Sequence, residues 1–182
     1  MSFTTRPGAR IACALTLLLS AITPVGTQAD GRPDPLAWRD AATTTDLVAH
    51  LDTWIDTRTA LPRRTERPQI RLIGETQARN LSARHASRHG GRARGFYDPD
   101  QQTVYLVRPW DPRDPFDVSV LLHELIHHRQ AEAGHWYCPA AQELPAYRLQ
   151  DAWLGDLGLK ADVNWIAVVL DSGCPRRDIH PD

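Results

Sequence analysis

Residues 114–134 carry the pattern that most limits how this chain can fold: a helix with its own start and stop signals and His123-Glu124-Leu125-Ile126-His127 in its middle. Asp114 suits the N-cap, Pro115 the first helical position and Asp117 the positive end of the helix dipole, while Gly134 offers a stop. Side chains four residues apart leave a helix on one face, so the two imidazoles aim at a common point. Val118, Leu121, Leu122, Leu125 and Ile126 give the helix an apolar flank that other elements must cover. The helix therefore belongs inside a layered domain, with its histidine face lining a cleft.

Neutral imidazole nitrogens at that separation suit tetrahedral Zn2+, and a glutamate directly after the first histidine reaches a water on the metal without ligating it. Glu124 is then the candidate catalytic base, and His123 and His127 are candidate ligands. With 8 histidines in the chain, a shuffled sequence shows this spacing roughly once in a hundred, so the capped helix and its apolar flank carry the inference. Catalytic zinc commonly takes three protein ligands and keeps a fourth position open. Glu143 is the candidate third ligand; His135, and less so Glu132 and Asp151, are the alternatives. Proline is costly inside a helix, and if Pro145 lies near the start of one, Glu143 sits at its N-terminal edge. Tyr147, four residues on, reads equally well as an oxyanion-stabilising phenol or as core packing. His128 lies on another helical face, and Gln130 and Gln150 read as structural.

His123-Glu-Leu-Ile-His-His-Arg-Gln130 followed by Glu143-Leu-Pro-Ala-Tyr-Arg-Leu-Gln150 resembles the gluzincin branch of the zincin metallopeptidases, including small exported bacterial members. The resemblance spans about Phe96 to Leu157. It implies a hairpin feeding the metal helix, a glutamate ligand on the following helix, and zinc-dependent cleavage of a peptide or protein, the peptide part of a cell-wall polymer included. The metzincin branch would want glycine at position 130 and histidine at position 133, where this chain has Gln130 and Ala133.

At the N-terminus, Arg6 and Arg10 precede an apolar run from Ile11 to Ile22 that is short for a membrane span, and small residues follow up to Ala29. This is the layout of an export signal over 1–29, with 30–182 as the mature domain and no stable membrane insertion after cleavage. Cleavage removes Cys13 and leaves Cys138 and Cys174, which an oxidising compartment, periplasmic or extracellular, would join. A formal charge of −1 gives no footprint for nucleic acid. The arginines clustered from Arg58 to Arg94 read as a solvated face, since arginine replaces lysine almost throughout the chain.

A composition of 42% hydrophobic and 24% charged residues fits one globular domain. Leu47, Val48, Leu51, Trp54 and Ile55 recur at helical spacing, Gln69–Ile73 alternates like a strand, and Glu75–Arg84 reads as a short helix. His85–Arg94, with Gly90-Gly91, reads as a loop. Phe96-Tyr97 and Thr103–Val107 flank turn residues, which predicts a hairpin. Helix is expected again from Cys138-Pro139 to about Leu157, followed by an apolar run at Val163–Leu170. The expected fold is α+β: a zincin-like domain whose small sheet, edged by Thr103–Val107, packs on the metal helix, with the third-ligand helix behind. An extended peptide could pair with that edge. The rival readings are a secreted zinc-binding protein without turnover and an arginine-rich adaptor for anionic polymers.

Overall fold

The computed structural model describes residues 1–2, 34–84, 93–134 and 136–174. The expected signal at 1–29, the Gly90-Gly91 loop and His135 lie outside the described residues. Arg32–Asp182 forms one compact unit. No helix among the described residues is long and apolar enough to cross a membrane.

Helix α1 (Thr44–Arg58) starts on a reciprocal cap: the Asp46 amide donates to Thr43 Oγ1 and the Thr43 amide donates to Asp46 Oδ2, both at 3.1 Å. It buries Leu47, Val48, Leu51, Trp54 and Ile55, the residues whose spacing predicted it. Strand β1 (Gln69–Ile73) and helix α2 (Glu75–Arg84) follow as read. Strands β2 (Gly95–Asp98) and β3 (Thr103–Val107) pair antiparallel, with Asp98 opposite Thr103, which confirms the hairpin. The Asp98 carboxylate closes its turn by accepting from the Asp100 and Gln101 amides at 3.0 Å.

The strand order is β1-β3-β2, with β1 parallel to β3, and this corrects the reading of Thr103–Val107 as the sheet edge. That strand is central and buried along its whole length. Val104 and Leu106 face the main core, which α1, α3 and α4 complete, while Tyr105 and Val107 face a second cluster with Ala78 and Leu81 of α2. Covered on both faces and hydrogen-bonded on both sides, β3 must be apolar throughout, and Thr-Val-Tyr-Leu-Val satisfies that.

Helix α3 (Pro115–Gln130) begins as its signals indicate, with the Phe116 amide donating to Asp114 Oδ1 at 2.8 Å. It ends at Gln130; Gly134, with φ of 122°, turns the chain that follows. A short 3-10 turn at Pro139–Gln142 leads into α4 (Glu143–Asp156). Pro145 sits at the third position of α4, where an absent N–H breaks no intrahelical bond. The apolar run after Val163 becomes helix α5 (Trp165–Asp171), capped by Asn164. Arg129, fully buried, ties α3 to α1 through Asp52 Oδ1 at 2.7 Å and Asp56 Oδ1 at 2.6 Å. The arginine-rich stretch is not uniformly solvated: the Arg64 side chain is only 9% exposed and pairs with Glu132.

Candidate metal centre

Two neighbouring helices build one cluster. α3 presents His123 and His127 from successive turns of one face, and their Nε2 atoms stand 3.0 Å apart. Glu143, first residue of α4, brings Oε2 to 3.3 Å from His123 Nε2 and 3.5 Å from His127 Nε2. Two links hold Glu143 in place. Gln130 at the end of α3 donates from Nε2 to the carbonyl of Gln142, the residue just before Glu143, at 3.0 Å. The disulfide between Cys138 and Cys174 anchors the turn leading into α4 to the segment after α5.

The three donor atoms form a nearly equilateral triangle. A tetrahedral ion with ligand bonds of 2.0–2.1 Å separates its ligand atoms by about 3.3 Å, so this triangle has the size such an ion requires. His123, His127 and Glu143 thus form a group that could hold a metal ion. His123 is buried, and His127 and Glu143 are half-buried. Burial pushes the His127 imidazolium toward neutrality, but the hydrogen bond and charge of Glu143, reinforced by Glu124, outweigh it and raise the pKa to about 9. The surroundings of the triangle therefore stabilise positive charge.

Glu124 is buried beneath β2, where the chain closes in on α3. A Cβ at Gly95 would lie 2.8 Å from Val120 Cγ1 and 3.0 Å from Glu124 Oε1, so only glycine lets the strand pass over this carboxylate. Tyr147 stands edge-on to the His123 ring at 4.4 Å. Burial, then the charges of Glu143, Glu124 and Asp171, push its pKa up to about 12, so the phenol keeps its proton at neutral pH and remains a donor.

The structure thus brings together all five residues singled out for the site: His123, Glu124, His127, Glu143 and Tyr147. His128 takes no part; its ring is buried between the Tyr97 hydroxyl and the Glu66 carbonyl, each at 3.0 Å. Glu132 is taken up by Arg64, and Asp151 by the Ala161 amide. Two contributors were underrated. Gln150 Oε1 lies 3.2 Å from His123 Nδ1, and Gln130 Oε1 lies 2.7 Å from His127 Nδ1. Their spacing held a signal, since Gln130 follows His127 by three residues and Gln150 follows Glu143 by seven, each on the same helical face as the residue it follows.

The family described as Domain of unknown function (DUF6647) matches residues 40–182. No curated protein matches the chain, and no solved structure does.

Proposed function

The chain belongs to the DUF6647 family, and from that premise and its three-donor cluster we propose that it is an exported zinc-dependent hydrolase, a zincin-like metallopeptidase cleaving peptide amide bonds. The observation that carries this reading is the triangle of His123 Nε2, His127 Nε2 and Glu143 Oε2, sized for one tetrahedral ion, with Glu124 near enough for its charge to act on His127. Two imidazoles and one carboxylate are a common donor set for zinc that keeps an open position. A structural site would more often be closed by a fourth protein ligand and would have no use for an adjacent base.

Bound there, zinc would lower the pKa of a water and polarise a substrate carbonyl. Glu124 takes the proton from the attacking water and returns it to the leaving amine. The protonated phenol of Tyr147 donates a hydrogen bond to the oxyanion that develops on the carbonyl oxygen. Since β3 is enclosed, the strand offered to an extended peptide is β2, which pairs with β3 alone among the described residues and passes directly over Glu124. The substrate is a peptide or protein, with the peptide part of a cell-wall polymer among the candidates; nucleic acid is not a partner.

The test combines zinc analysis with a peptide-library assay on residues 30–182. One zinc per chain is expected in the wild type and in Glu124→Gln, with zinc lost from His123→Ala and Glu143→Ala. Hydrolysis should fall about 10²- to 10⁴-fold in Glu124→Gln. Full activity in that variant would end the proposed mechanism. Zinc without turnover of any peptide by the wild type would leave a secreted zinc-binding protein.

A further inference from the structure

Each candidate ligand histidine is the end of a hydrogen-bond chain that begins at a backbone carbonyl. From the first, the Phe116 carbonyl accepts from the Ser119 hydroxyl at 2.7 Å. Ser119 Oγ, its proton committed, accepts from Gln150 Nε2 at 2.9 Å. The Gln150 amide is thereby oriented, and its Oε1 faces His123 Nδ1 at 3.2 Å. From the second, the Gln142 carbonyl accepts from Gln130 Nε2 at 3.0 Å, which turns Gln130 Oε1 toward His127 Nδ1 at 2.7 Å. The Gln142 carbonyl only accepts, which fixes Gln130, and the Ser119 proton given to the Phe116 carbonyl leaves Oγ to accept from Gln150, so each chain ends on an oxygen that calls for an N–H from the ring. Ser119, Gln130 and Gln150 are buried, where an unpaired oxygen or a reversed amide is costly.

We propose that Gln130 and Gln150 are positioning residues that hold His127 and His123 in the Nδ1–H tautomer, so that both rings present bare Nε2 lone pairs to a divalent cation. This rests on the metal-site reading above and adds the groups that prepare it. The two Nε2 atoms face each other at 3.0 Å, so with Nδ1–H on both rings their lone pairs meet at one point, where a shared proton or a metal ion joins them. Both positioning groups are neutral amides rather than the carboxylates often found behind such histidines. The negative charge supplied by the described side chains at the cluster is thus that of Glu143 and Glu124, which a divalent ion balances. Gln130 has a second duty, because the same amide that orients His127 also holds the residue before Glu143. One side chain thereby sets two of the three ligands.

The experiment is ¹⁵N-correlated NMR of the histidine rings with zinc bound at neutral pH and without zinc at alkaline pH, where the ring shifts show both imidazoles to be neutral. It is run alongside zinc affinities of the wild type, Gln130→Leu, Gln150→Leu and Gln150→Glu. The wild type should show pyrrole-type Nδ1 on both rings in both states. Each leucine variant should release its own ring toward the Nε2–H form and weaken zinc about 10- to 100-fold. Gln150→Glu should keep Nδ1–H on His123, because a carboxylate still accepts there. A bare Nδ1 on either ring of the wild type, a reading that needs no variant to fold, would overturn the proposal. So would leucine variants with unchanged tautomers and affinity. Nδ1–H rings in a wild type that takes up no zinc would uphold the tautomers and remove the metal; zinc held through Nδ1 would do the reverse.

Discussion

Gly95 and Arg129 show how single residues hold the site at a distance from its chemistry. At Gly95 the difficulty is space: the atom added by Gly95→Ala would press on Val120 and on Glu124 together. We expect a stability loss of about 1–3 kcal/mol in urea unfolding, and a fall in hydrolysis larger than any loss of bound zinc, because Glu124 is displaced and the ligands are not. Adding Val120→Ala relieves the closer contact and should return stability more fully than activity. At Arg129 the issue is charge. A buried guanidinium faces Asp52 and Asp56, whose side chains are 13% and 42% exposed, so Arg129→Met takes the ion-pair partner from Asp52 while Asp56 keeps Arg63. About 3 kcal/mol of stability should go, the low end for a broken buried pair because water screens Asp56.

Among the elements, α4 depends most on connections outside itself. It starts at the candidate ligand Glu143, has no side-chain cap on its first turn, and is preceded by the half-cystine Cys138 and the Gln142 carbonyl that Gln130 holds. A bridge across a sequence separation of 36 residues stabilises by about 3–4 kcal/mol in the chain-entropy description. Cys138→Ser with Cys174→Ser should lower stability by about that amount in chemical unfolding. It should also weaken zinc binding, because Glu143 lies five residues from the released end. Zinc affinity unchanged in the double variant would show that the Gln130 link suffices. Strand β3 teaches the opposite lesson. It was expected at the sheet edge, and the parallel pairing with β1 makes it central, which its unbroken apolar run suits.

Among the described residues of the Arg32–Asp182 unit, α2 lies on one face of the sheet and α1, α3 and α4 on the other, and burial of histidines in these layers bears on the response to acid. His50 on α1 has its pKa lowered by burial, with Asp34 only partly opposing. The unfolded chain therefore takes up this proton first as pH falls below about 6.5, and stability drops until pH passes the folded-state pKa. Unfolding free energy should decrease from pH 7 to pH 5, and less steeply in His50→Gln; equal slopes would exclude His50 as the cause. The sequence alone pointed to helices α1 to α4, the hairpin, the paired cysteines and the five residues of the candidate site, while the type of the last apolar run, α5, stayed open. Those features rest on caps, on 3.6-residue spacing and on turn chemistry, which act within a few residues. The strand order, the approach of Gly95 to Glu124 and the glutamines behind the histidines were decided by tertiary structure. They depend on which faces meet when segments distant in sequence pack, and local periodicity states that a face is apolar or polar without naming its partner.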